Sequence, residues 1–247
     1  KKMPNASTSF FGWVAFLLQK YGMLFLRGTG MTLLIALTGT ALGFALGLLV
    51  AIIRTIALPE KKKAGSNAGV IVKRGLLRFV HMLMNVYIQV FRGTPMIVQA
   101  VVIYYGAQYA GVFMDTTFAA VFIISINTGA YMAEIIRGGI VSVDKGQFEA
   151  AHAIGMTHWQ TMTTVVLPQA IRNILPSVGN ELIVNIKDSS VLNVISVSEL
   201  FFQAKSAAGT YYRYFEVYFI IAVIYLILTL TVSRILRAVE KTVKQEC

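Results

Sequence analysis

Acidic side chains are scarce in this chain. Only 11 Asp and Glu stand against 22 Lys and Arg in 247 residues, and charged residues of both signs make up 13% of the sequence. A soluble domain carries roughly 25%. With 56% hydrophobic residues and a mean hydropathy of +0.68, the chain is too apolar for water and belongs in a bilayer. Cys247 is the only cysteine, which excludes an internal disulfide and a thiolate metal cluster. His81, His152 and His158 are too scattered for a metal-ligand pair on one helical turn, so no metal is expected. No stretch matches G-x-x-x-x-G-K followed by Ser or Thr, so nothing here cradles ATP phosphates. Neither G-x-S-x-G nor H-E-x-x-H occurs, which argues against an intramembrane hydrolase, and no catalytic residue is assigned. A formal net charge of +11 would suit nucleic acid, but no basic groove interleaved with aromatics accompanies it. A basic membrane protein places such cations in cytoplasmic loops.

Long apolar runs are what the chain has in abundance. Residues 1–10 are polar, and 11–26 are aromatic-rich, with Trp13, Lys20 and Tyr21; this predicts a tail and interfacial elbow over 1–27. Residues 31–53 form span one, ~35 Å as helix against a hydrocarbon core of ~30 Å. Within it Gly39, Gly43 and Gly47 clear one face for a closely packed helix, in the chain's core or across a homodimer seam. Residues 54–78 gather Arg54, Lys61, Lys62, Lys63, Lys73, Arg74 and Arg78 against Glu60, around a flexible Gly65-Ser66-Asn67, and predict a cytoplasmic loop. A helix over 76–91 then approaches the membrane, Arg92-Gly93-Thr94-Pro95 interrupts it, and 96–109 crosses. Span two is thus kinked, with Arg92 snorkelling at the cytoplasmic boundary.

Residues 116–133 form span three, after which Glu134 and Arg137 are spaced to pair as a structural ion pair. Span four, 168–195, is the least apolar. A charge near the bilayer centre costs ~2.5–3.5 kcal/mol, so its polar groups should face the protein interior or a water-filled path. Glu181, Asn185 and Asp188 fall at i, i+4 and i+7 on one helix face, with Lys187 turned ~100° away. A carboxylate there suits an ammonium group; the alternative is a polar network that merely packs the span. Residues 196–213 form an external loop, and span five, 214–233, is followed by Arg234, Arg237, Lys241 and Lys244. The expectation is an all-α, multi-pass protein of the cell membrane with five transmembrane helices, its N-terminus outside and its C-terminal tail, 241–247, in the cytoplasm. Lys1, Lys2, Lys20 and Arg27 on the outer side run against the charge rule. No inverted repeat is visible.

Between spans three and four, residues 144–166 are soluble in character. Asp144 is placed to N-cap a short helix, Gly155 to follow its last turn, Thr157 and Gln160 to form a capping box, and Pro168 to open a further helix. The prediction is helix, sharp turn, helix. Ala150, Ala151 and Ala153 are small enough for a partner backbone to approach, and Glu149 offers an anionic anchor.

The pattern Glu149-Ala150-Ala151, three residues, Gly155, then Leu167-Pro168 resembles the coupling-helix signature of ABC importer permeases. Further stretches resemble the polar amino acid branch of that family, in the family's order: Gly30-Met31-Thr32-Leu33, Phe91-Arg92-Gly93-Thr94-Pro95 with Val98-Gln99, Tyr131-Met132-Ala133-Glu134-Ile135-Ile136-Arg137-Gly138-Gly139, and Lys187-Asp188-Ser189-Ser190-Val191. Together they cover 28–240, the permease domain of the expected type I ABC importer permease fold. The basic insertion over 61–73 departs from the family pattern. The resemblance implies a permease that pairs with a second permease subunit, the same or similar, over a dimer of ABC ATPase subunits. ATP and Mg bind to the ATPase, none to this chain, and an extracytoplasmic binding protein delivers a polar or charged amino acid. It implies ATPase coupling through Glu149, Ala150, Ala151 and Gly155, and a substrate path past Glu181, Asn185, Asp188 and Ser189. A permease for another small solute, such as an osmolyte or methionine, and an ATP-independent channel or carrier are the alternatives.

Overall fold

The computed structural model describes residues 8–56, 58 and 68–245. Lys1, Lys2, Glu60, Lys61, Lys62, Lys63 and Gly65-Ser66-Asn67 lie outside the described residues. Regular structure among the described residues is helical. Helix α1, Phe10–Thr55, starts where the Ser9 hydroxyl accepts from the Gly12 N–H and runs 46 residues without a proline. At 1.5 Å per residue it is ~69 Å long, about twice the hydrocarbon core. Helix α1 runs through the expected boundary at 27: Arg27 lies in mid-helix, and Gly28 serves close packing, since a Cβ there would lie 2.8 Å from Leu200 Cα. Two of the aromatic residues that suit a lipid interface, Trp13 and Phe25, are here buried in protein, and Leu17 and Phe25 pack against Leu200, Ala204, Val217 and Ile220.

Helix α2, Ala68–Gly93, and α3, Met96–Tyr109, meet at a break where their axes turn by 115°. Pro95 disfavours helical backbone at Thr94, so the chain turns there rather than flexing. The expected kinked span is therefore two helices, and the 14-residue α3 is too short, at ~21 Å, to cross alone. Helix α4, Thr116–Val141, is capped by Asp115, whose carboxylate accepts from the Thr117 and Phe118 N–H groups at 2.8 and 3.1 Å. It lies along the glycine stripe of α1: Cβ atoms at Gly39, Gly43 and Gly47 would meet Ile124, Thr128 and Met132 within 2.4 to 2.7 Å. The stripe serves packing within the chain rather than a seam between copies.

Next come α5, Lys145–Ala153, and α6, His158–Gln160, then a π-helical turn Thr161–Val166 that runs into α7, Leu167–Asp188. A 3₁₀ segment, Ser189–Ile195, leads to α8, Leu200–Tyr211, and α9, Tyr214–Gln245. By length and composition α1, α4 and α9 are each able to cross a membrane, and α2 with α3 pass the same test together as one bent pair. Helix α7 is too polar to qualify by composition. Glycine contacts and shared cores set the directions: α1, α4 and α9 run one way, α2 and α7 the other. Arg54, the α5–α6 hairpin and the basic end of α9 therefore share one end of the bundle.

Candidate functional site

Two places carry functional geometry, one at each end of α7. At its start, Asp144 accepts from the Gly146 N–H at 2.7 Å and opens α5. Gly155, at φ +82°, closes it: its N–H donates to His152 O and the Met156 N–H to Ala151 O, both at 3.0 Å, which satisfies the last carbonyls. Thr157 and Gln160 form the capping box of α6. What the sequence did not reveal is that α6 continues into α7. In the π turn, the Leu167 N–H reaches back five residues to Met162 O, one residue before Pro168, which has no N–H to give. The hairpin is fastened to α7 through Gln169 Nε2, donating to Gln147 Oε1 at 3.3 Å, and Asn173 Nδ2, donating to Ser142 Oγ at 2.9 Å.

Glu149, Ala150 and Gly155 are exposed on this hairpin; Ala151 is 3% exposed and faces the chain's own core. Ala151 thus anchors the hairpin from below rather than meeting a partner. The outer surface carries Ile154 at 79% and Trp159 at 76% exposure, two large apolar groups beside Glu149 in sequence. Sequence reasoning missed both, because a lone Trp or Ile carries no periodic signal in so short a helix. An aliphatic group and an indole standing clear of the chain make an exposed apolar surface on the hairpin.

At the other end of α7, a cavity of about 330 Å³ opens beside the α2–α3 break, walled by Thr94, Asn127, Tyr131, Glu181, Asn185 and Asp188 among others. The break leaves backbone carbonyls without helical partners, and Gln99 supplies them. Its Nε2 lies 2.9 Å from Phe91 O, Thr94 O and Thr94 Oγ1, while its Oε1 accepts from Asn127 Nδ2 at 2.8 Å. Irregular backbone at membrane depth is tolerated where it is satisfied by protein and lines a cavity. Arg92 sits with its guanidinium 5.4 Å from the Tyr131 ring centre, midway along α4. It is therefore level with the middle of α4, over a residue that walls the cavity, rather than at the end of the bundle, because α2 carries it deeper than a span beginning near it would.

The four residues expected along the path separate. Glu181 and Asp188 face the cavity, and neither forms a salt bridge among the described residues. Asn185 borders it, but its Nδ2 donates to Thr40 Oγ1 at 2.8 Å and to Thr128 Oγ1 at 2.9 Å, pinning α7 to α1 and α4. Ser189 is fully buried and donates to Ile186 O at 2.9 Å, within its own turn. Glu134, expected to pair with Arg137, does so at 2.9 Å and also accepts from Arg54, which ties the end of α1 to α4.

A helical bundle with a polar cavity facing a broken helix and an exposed hairpin at one end has the form of a membrane permease. The chain belongs to the family of binding-protein-dependent transport system inner membrane components, which matches residues 65–245. It is 40% identical over 223 residues to the glutamine transport system permease protein GlnP of Escherichia coli (strain K12), covering 90% of this chain and 93% of that one. It is 42% identical over 159 residues to the arginine transport system permease protein ArtQ of Bacillus subtilis (strain 168), covering 64% and 73%. A crystal structure of an amino acid ABC transporter with histidines superposes with a TM-score of 0.81 at 38% identity, over 96% of this chain and 99% of that one. The MetNI methionine ABC transporter, at 20% identity and a TM-score of 0.67 over 91% and 98%, shares the fold. The fold is that of the ABC importer permeases.

Proposed function

We propose that this chain is the permease subunit of an amino acid importer, passing a polar or cationic amino acid inward through the cavity between α7 and the α2–α3 break. The observation that carries the reading is the pair Glu181 and Asp188, half-buried in one cavity without a salt-bridge partner. Two carboxylates held away from bulk water favour an ammonium or guanidinium group that replaces the lost hydration. Asn185 and Ser189 hold that wall in place from behind. Relatives named for glutamine and arginine transport support an amino acid over an osmolyte.

In this reading the chain crosses the membrane five times, with α7 as the polar fourth span shielded by its neighbours. The N-terminus is outside and the C-terminus cytoplasmic. The α5–α6 hairpin docks on a dimer of ATPase subunits, where ATP and Mg bind. A second permease subunit completes the translocation unit, and an extracytoplasmic binding protein delivers substrate. Asp188→Asn tests the central claim, since it keeps shape and removes charge. Reconstituted with its ATPase and binding protein, the variant is expected to assemble and keep basal ATPase activity while uptake falls roughly tenfold or more, the loss expected for one charged hydrogen bond. Uptake at the parental rate would reject Asp188 as a substrate contact.

A further inference from the structure

Eleven residues beyond Asp188 stands a carboxylate that the substrate cavity does not use, Glu199, fully buried. Its Oε2 accepts from the Phe201 N–H at 2.8 Å and from Tyr225 Oη at 3.1 Å, and its Oε1 from the Phe202 N–H at 2.7 Å. The Leu200 N–H donates to the hydroxyl of buried Thr32 at 3.3 Å. Three consecutive N–H groups in the first turn of α8 are thus met by side chains, and the same turn is tied to α1 through Thr32 and to α9 through Tyr225. Gly28 completes the contact, admitting the Leu200 backbone where any side chain would collide.

What α8 holds in turn is the 3₁₀ segment 189–195. Ser196, at φ +64°, reverses the chain between them, and Lys205 on α8 donates to Asn193 Oδ1 at 3.3 Å. On one side of this segment lies the acidic cavity, bounded by Asp188. On the other is a crevice of about 500 Å³ walled by Ile97, Asn193, Val194, Ser196, Phe202 and Lys205, at the end of the bundle opposite the hairpin. Leu192 and Ile195 plug the space between, packed with Ile35, Ala100 and Ile123.

We propose that Glu199 is the positioning residue of an outer gate formed by segment 189–195, holding α8 so that the segment separates the outer crevice from the cavity. This rests on the reading of that cavity as the substrate path. A carboxylate offers acceptors only, so it can take all three donors at once. A glutamine of the same shape turns an NH₂ towards at least one of them. Glu199→Gln therefore releases the latch with little change in volume, and Tyr225→Phe removes the hydroxyl donor that α9 supplies.

The test uses the assembled transporter in a Cys247→Ser background, with Val184→Cys on the cavity wall as reporter and a membrane-impermeant thiol reagent applied from the binding-protein side. In the parent the reporter is shielded at rest. Glu199→Gln should raise its labelling rate by roughly tenfold, the effect of one lost buried hydrogen bond to a charged group, with Tyr225→Phe raising it in the same direction. In the transporter without the reporter, Glu199→Gln should lower uptake per ATP hydrolysed at unchanged substrate affinity. Parental labelling in a folded Glu199→Gln protein overturns the gate. So does a Glu199→Gln protein that fails to insert while Tyr225→Phe labels and transports like the parent, for Glu199 is then packing alone. If the parental complex takes up no amino acid, the functional reading fails, and the labelling comparison still decides the gate.

Discussion

Single side chains decide whether this backbone can be irregular inside a membrane. Gln99 shows how: the Thr94–Pro95 turn frees carbonyls that one buried amide takes up. Gln99→Leu leaves Thr94 O unmet and Phe91 O with only the Asn127 Nδ2 donor at 3.3 Å, and should destabilise the protein by ~1–3 kcal/mol, read as a lower melting temperature in detergent. An unchanged melting temperature would show that water serves as well. Glycines differ by what they face. Gly47→Ala drives a Cβ to within 2.4 Å of Met132 Cβ and 2.8 Å of Ala133 N, and overpacking of this kind costs ~1–3 kcal/mol. Gly30, in the same helix with nothing within 4 Å, should accept Ala with no loss or a gain of up to ~1 kcal/mol. Thermal unfolding of the two variants side by side separates packing from helix propensity. The polar face of α7 was legible as a face at this scale; that Asn185 and Ser189 are spent on internal hydrogen bonds was not, since spacing says nothing about partners on α1 and α4.

Among the elements, the α5–α6 hairpin was the most legible, because caps and turns are written in adjacent residues. Asp144, Gly155, Thr157 and Gln160 each take the expected part. Its expected role is docking. Glu149→Lys or Trp159→Ala should leave the permease inserted but weaken attachment of the ATPase, and Gly155→Val should do likewise because a β-branched residue opposes φ +82°. Co-purification of the ATPase on the tagged permease reads this directly; wild-type yield and transport in both surface variants would reject the hairpin as the dock. The α2–α3 break was less legible. Proline announced an interruption, but whether the second piece continues or turns by 115° depends on α4 and segment 189–195, against which α3 packs.

For the whole molecule, the distribution of cations sets which end is expected in the cytoplasm. Arg54, the hairpin and the cations of α9 lie together, and that end is expected inside. In a Cys247→Ser background, cysteine at Ser66 should label only from the cytoplasmic face and cysteine at the exposed Gly209 only from outside. The reverse would invert the topology and remove the docking proposal with it. Ala208 beside it is fully buried and makes a poor reporter. Cations at the opposite end are held by aromatics: Lys20 Nζ contacts the Tyr211 hydroxyl and lies 5.2 Å from that ring's centre, and Arg213 lies 4.4 Å from that of Trp13 while pairing with Glu216.

By itself the sequence determined what depends on neighbours in the chain: the apolar runs, their caps and breakers, the glycine stripe, the hairpin and the polar face of α7. These follow from the 3.6-residue period and from backbone chemistry local to a few residues. Only the tertiary structure decided what the stripe packs on, that the aromatic N-terminal segment packs on α8 and α9, and that Arg92 lies over Tyr131 at mid-bundle. It also decided that Glu199, one unremarked acid in a loop, gathers three helices. Apolar and aromatic side chains bury equally well against lipid or protein, so composition cannot choose between them; contacts between residues far apart in the chain do.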